Sequence, residues 1–400
     1  MVLRLFSLLE GSNYATYAVD AIRSILRLPH ISFRSEVGKN QLLHHLRFSI
    51  DYLRRAHLLD QEGKPVNLFG IASHLYHAEP SNLAITVLLQ LGIIHDICLQ
   101  TSSVDAERDL MVLLCHLFDR RYLPEVYATA DNIHDLIQKG PSRVVLPPLH
   151  PKAHTILAAH QKKILDIFSA YALAFSSQHA DELGPDNRLP LSGNIIGPCD
   201  ASTRPQTALF AHIAETAIQP RVRSLFVATS GHDDTFGGVG ELARTVRDGI
   251  HLNEHVIPTV EPILDPSMPL NAYLYDFFVH GQVDALVNMN GIRRGNVWFA
   301  LEAFYLTLTT IRGDLENLLL TMSRDAVPHQ GELDDALDAS EAEDSGYQSF
   351  DPSEWGEAGD GADPAAFKRP HGVFDRDWKV YQVVNNVTNE FHAKFKAMWA

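Results

Sequence analysis

The stretch from Gln41 to Gln100 constrains this chain more than any other, because it packs helical periodicity, a turn and a second helix into a short span. Leu42, Leu43, Leu46, Ile50 and Leu53 recur at three- and four-residue steps, which gives one helix face an apolar stripe. Arg47, Asp51, Arg54 and Arg55 fall largely on the other faces. Leu58 and Leu59 then run into Asp60-Gln61-Glu62-Gly63-Lys64-Pro65. Gly63 tolerates a positive φ and Pro65 lacks an amide donor, so the spacing predicts a turn there. Val66 and Leu68 resume the apolar pattern, and Phe69 to His77 reads as a short helix that Pro80 stops. Helix, tight hairpin and helix in this order predict a winged-helix module over 41–79.

The rest of the chain reads as mainly α. Residues 1–40 hold two short helical patterns, broken at Gly11-Ser12-Asn13, and a polar loop. A helical bundle with long loops is expected over 80–323. Within it, helices are predicted at Leu83 to Cys98 with Ser81 as N-cap, Asp105 to Leu123, Lys152 to Ser177, Glu241 to Asp248, Leu270 to His280 and Asn296 to Met322. Arg223 to Thr229 has strand-like content, and Asp181 to Thr207 is a loop rich in Pro, Gly, Asn and Asp. Low hydrophobicity and high negative charge predict an acidic disordered insert over 324–374. An amphipathic helix is expected over 375–400. No run of about 18 uncharged apolar residues exists, so no membrane span is expected. The cysteines Cys98, Cys115 and Cys199 are odd in number and widely spaced. That fits neither a zinc pattern nor a disulfide framework, and it suits the cytoplasm.

The formal net charge is −16, but Glu332 to Asp363 holds twelve carboxylates and no Lys or Arg, and the remainder carries only −4. The body can therefore present local basic patches. Candidate cations are the pairs Arg54-Arg55, Arg120-Arg121, Lys162-Lys163 and Arg293-Arg294. Arg120-Arg121 is read as the end of a helix, where cations suit the dipole. A solvated face or a salt bridge to a partner competes with phosphate contact for each pair.

Other constellations carry less. Gly237 to Glu241 lacks the lysine of a phosphate loop. His74 and His77 with Glu79 have metal-compatible spacing but no further ligand pattern. Ser230 to Asp234 contains the letters of a hydrolase triad, but adjacent residues cannot assemble one. There is no Gly-x-x-x-x-Gly-Lys-Ser/Thr loop and no Asp-Glu-x-Asp/His motif, so the chain lacks what couples ATP hydrolysis to movement.

Leu68-Phe69-Gly70-Ile71-Ala72-Ser73-His74-Leu75-Tyr76 resembles the segment after the wing in Ski-like DExD/H-box RNA helicases. The longer run from His45 to Ala84, Leu270 to Phe278 with His280-Gly281, and Trp378 to Trp399 are similar to the C-terminal region of the DExD/H-box helicase 60 family, after the motor lobes. Ile71 stands where that family usually has Arg, and the acidic insert lies outside the resemblance. The resemblance implies a cytoplasmic accessory region that guides RNA and braces two motor lobes, supplied in cis or in trans. ATP and Mg would bind those lobes, with no cofactor or metal held by this chain. Under that resemblance some of the basic pairs contact phosphate; Arg54, Arg55, Arg120 and Arg121 are the nucleic-acid-binding candidates, and no catalytic residue is expected. The alternative is a non-catalytic winged-helix and helical adaptor for a protein partner, which the acidic segment could recruit.

Overall fold

The computed structural model describes residues 36–61, 63–75, 81–121, 123, 144–183, 270–325 and 367–398. These form eleven α-helices: α1 Glu36–Arg55, α2 Phe69–His74, α3 Ser81–Gln90, α4 Ile93–Cys98, α5 Ser103–Leu117, α6 Pro151–Gln178, α7 Ala180–Leu183, α8 Tyr273–His280, α9 Val283–Asn288, α10 Arg294–Asp325 and α11 Asp375–Ala397. Among the described residues the only β-type pairings are two isolated antiparallel bridges, Leu59 with Pro65 and Val145 with Asn271. The protein is thus mainly α-helical. Readings for Met1 to Leu28, Arg223 to Thr229, Gly231 to Asp248, His77, Glu79 and the acidic run Glu332 to Asp363 lie outside the described residues, as does Cys199.

The hairpin after α1 forms as its residues demand. Gly63 adopts φ +84°, the left-handed region that glycine enters without a Cβ clash. The Asp60 carboxylate accepts from the Lys64 amide at 2.7 Å, and the Asp60 amide donates to the Lys64 carbonyl at 2.9 Å. Asn67 donates from its side chain to the His57 carbonyl at 2.8 Å. α1 buries Phe48, Tyr52 and Leu53, so its core face is largely aromatic. α2 drives Phe69, Ile71 and Ala72 inward, and Asn82 ties the Ala72 carbonyl to the start of α3 at 2.6 Å.

Three sequence expectations are corrected here. The helix predicted over Leu83 to Cys98 is two helices, because Gly92 turns the chain at φ +77°. Ser81 is not an N-cap but the first residue of α3, and its hydroxyl donates to the Leu117 carbonyl across to α5. The helix predicted to reach Leu123 ends at Leu117. Phe118 is extended and buried, and Asp119 takes φ +48°. His116, bonded to the Pro147 carbonyl at 2.7 Å, and Tyr273, whose hydroxyl donates to the Asp119 carbonyl at 3.1 Å, hold that exit. Ser102 is the true cap of α5, accepting from the Asp105 amide.

α10, roughly 48 Å long at 1.5 Å per residue, pairs antiparallel with α11. Trp298 near its start meets Phe395, Phe304 meets Phe391 with centroids 5.3 Å apart, and Glu316 accepts from the Tyr381 hydroxyl at 2.8 Å. Phe277 of α8 closes on the same Phe391 at 5.2 Å. Phe367, inside the stretch read as insert, packs on Trp378 and Tyr381. Two histidine–carboxylate bonds tie the first half of the chain to this pair: His74 of α2 to the buried Asp314 of α10, and His95 of α4 to Asp377 of α11 at 2.9 Å. Cys98 and Cys115 are free and buried; burial pushes the Cys98 thiol up to about 12 and raises that of Cys115 too, so both are unreactive packing residues.

Leu270 to Tyr273 threads between the tail of α5 and residues 144–146. The Asn271 amide donates to the Arg121 carbonyl at 2.8 Å, its side chain to the Asn290 carbonyl at 2.7 Å, and its Oδ1 accepts from Tyr273 and from Asn290. Asn271 is buried, so its removal strands several polar groups without water. Asn271→Ala is expected to cost about 1–3 kcal/mol of stability, read as a lowered urea midpoint.

Candidate nucleic-acid interface

Basic side chains gather where α1 lies against α6. The seam is built on aromatic rings. Phe48 meets Phe168 edge-on at 5.3 Å and Tyr171 at 6.0 Å. Tyr52 and His160 share a hydrogen bond of 3.1 Å beneath the surface. α6 starts where it does because Pro151 opens it and His150 caps it, accepting from the Lys152 amide. Arg47, Arg54 and Arg55 project from α1 and are exposed, as are Lys162 and Lys163 on α6.

Arg55 and Lys163, distant in sequence, flank one crevice of about 10 Å³ floored by Tyr52, His160 and Ile164. That volume holds about one water molecule, so the seam offers a charged surface rather than a ligand pocket. Asp51 moderates it, accepting from Arg55 at 3.0 Å, and Asp166 does the same for Lys162 at 3.2 Å. Five cations against these two carboxylates leave the seam basic, although the chain as a whole is acidic. Burial, and to a lesser extent Lys163, depress His160 to about 4, so it adds no charge at neutral pH. Burial and then Asp51 raise the Tyr171 hydroxyl above its ordinary value.

The four candidate residues fall in two places. Arg54 and Arg55 are on this seam. Arg120 and Arg121 are past the end of α5, beyond the reversal at Asp119, and not in its last turn; the helix dipole therefore does not account for them. Both are partly buried. The Arg121 guanidinium lies over the Tyr273 ring at 5.2 Å while its carbonyl accepts from Asn271, so its side chain is taken up in packing. Arg294 pairs with Asp284. Arg47 belongs with the seam although the sequence reading did not single it out; its spacing of seven and eight residues from Arg54 and Arg55 puts all three along one side of α1. Lys163 joins them only through the packing of α6 against α1. Among the described residues no group of three or more His, Cys, Asp or Glu is arranged to hold a metal ion, and no helix is long and apolar enough to cross a membrane.

His160 and His116 make stability pH-dependent. Burial lowers both folded-state values to about 4, against an ordinary 6.5. Between those values the unfolded chain binds protons that the folded chain refuses, so stability present above pH 6.5 is lost as pH falls toward 4. Asp119, raised by burial to about 6 despite Arg121, opposes this by binding a proton in the folded state. His160→Gln and His116→Gln are each expected to flatten the decline between about pH 6.5 and 4.5, measured from urea midpoints across that range.

Residues 1–73 match the family model described as "DDX60-like, winged helix domain". A human protein named probable ATP-dependent RNA helicase DDX60-like is 27% identical over 336 residues, covering 80% of this chain and 19% of its own length. A Dictyostelium discoideum protein named an uncharacterized helicase is 26% identical over 66% of this chain and 14% of its own length. A Caenorhabditis elegans protein of the same description is 22% identical over 77% of this chain and 16% of its own length. No solved structure matches the chain. The chain therefore spans less than a fifth of the length of the curated relatives it matches. The winged-helix match at its start and these alignments support assignment of the chain to the C-terminal region of a Ski-like, DDX60-like helicase.

Proposed function

We propose that this chain is the RNA-guiding accessory region of an ATP-dependent DExD/H-box helicase acting in the cytoplasm. It braces two motor lobes, in cis or in trans, and ATP and Mg bind those lobes. The observation that carries this reading is the α1–α6 seam, where Arg47, Arg54, Arg55 and Lys163 are exposed on two packed helices of an acidic chain. A rigid row of cations suits the repeating phosphates of a single strand, and its sequence-independent contacts suit a guide rather than a reader. The family-model match and the name of the human relative support the motor and the nucleic acid class.

The test is binding of the purified chain to a labelled single-stranded RNA across a salt series. With Arg54→Glu/Arg55→Glu, affinity is expected to fall and the slope of log K against log salt to shrink by about 1.4 or more, at about 0.7 for each phosphate no longer neutralised. Arg121→Gln is expected to leave the slope unchanged. Failure to bind at low salt, or a slope untouched by the double variant, sinks the reading and favours a non-catalytic adaptor.

A further inference from the structure

The cations of the α1–α6 seam are not equivalent, and their hydrogen bonds tell them apart. The Asp51 carboxylate accepts from Nε of Arg55, one turn further along α1, at 3.0 Å. A guanidinium carries five N–H donors, so one bond at Nε leaves the fork of the two Nη groups unspent. Tyr171 of α6 faces the same carboxylate. Its ring is set against Phe48 at 6.0 Å, and Asp51 adds to burial in raising its hydroxyl. Asp51 therefore lies against both helices, its side chain 27% exposed, while that of Arg55 is 56% exposed.

Lys163 lines the same water-sized crevice as Arg55. Its neighbour Lys162 is drawn off by Asp166 at 3.2 Å, and Arg54, also exposed, does not line the crevice. The floor is uncharged at neutral pH: burial raises the Tyr52 hydroxyl and lowers His160 to about 4, and Ile164 is apolar. The carboxylates flanking these positions in sequence are engaged, Asp51 by Arg55, Asp60 by the Lys64 amide and Asp166 by Lys162. Two cationic donors thus border one small hollow. It is too small for a base or a sugar, and what fits its mouth is a single tetrahedral anion bonded from both sides.

We propose that Arg55 and Lys163 form a subsite for one backbone phosphate of a single-stranded RNA, and that Asp51 is a positioning residue that aims the Arg55 fork at it. The proposal rests on the RNA reading above and deepens it. Of the five cations in the seam, these two make directed contacts, and Arg47, Arg54 and Lys162 supply a diffuse field. A planar fork bonded at two points to a phosphate is stronger and more geometric than a point charge. Holding the fork in place beforehand removes part of the ordering cost of binding.

The test changes geometry without changing charge. Affinity for a labelled single-stranded RNA is measured at fixed low salt for Arg55→Lys and Arg54→Lys, which both keep the charge of the seam. Arg55→Lys is expected to weaken binding about fivefold or more, and Arg54→Lys to leave it within about twofold. Lys163→Gln and Lys162→Gln each remove one charge from adjacent positions, and Lys163→Gln is expected to cost more. Asp51→Ala makes the seam more positive, yet it is expected to weaken binding about twofold or more. Asp51→Asn, which keeps an acceptor for Nε, restores wild-type affinity. Equal effects of Arg55→Lys and Arg54→Lys, or tighter binding by Asp51→Ala, overturn the subsite and leave the RNA reading standing. Absence of RNA binding by the wild-type chain at low salt overturns both.

Discussion

The antiparallel pairing of α10 with α11 is the contact on which the other elements depend. Phe391 sits at its centre, touched by Phe304 from α10 and Phe277 from α8. α4 and α5 pack on α11, and α2 and α9 pack on α10. Without this pair the faces that α4, α5 and α8 turn toward α11 are uncovered, and each large side chain left exposed forfeits about 1.5–3 kcal/mol. The winged-helix end is not self-sufficient either: α2 is a six-residue helix whose His74 finds its carboxylate on α10.

Much of this was legible in the sequence, and the physical reasons for success and failure differ. The hairpin at Gly63 was readable because a glycine and a proline at fixed offsets leave few conformations. α6, α10 and α11 were readable because long apolar periodicity has one interpretation. The break at Gly92 was missed because Leu83 to Cys98 keeps its apolar content across the turn, and only the φ of +77° reveals it. The end of α5 was missed because tertiary bonds from His116 and Tyr273, not a local stop signal, terminate it. Ser81 looked like a cap by residue type alone, yet its hydroxyl serves a carbonyl 36 residues away.

The candidate site divides the same way. Arg54 and Arg55 are exposed, as the polar face of α1 required. Lys163 joins Arg55 only through the packing of two helices that lie far apart in the chain, which no local pattern encodes. Arg121 shows the converse. A pair of adjacent arginines reads as a basic patch, but its guanidinium is used on an aromatic face inside the fold. Charge summed over the chain says little about any of these places, because the acidic excess is concentrated in one run.

The bonds from His74 to Asp314 and from His95 to Asp377 join residues 240 and 282 positions apart. Contacts of such separation are costly to close and slow to find. During synthesis at roughly 5–20 residues per second, α2 and α4 leave the ribosome well before the helices they must meet. The apolar faces of α4 and α5 therefore wait, uncovered, until α11 arrives. Nascent chains halted before residue 375 would present those faces to chaperones or to one another.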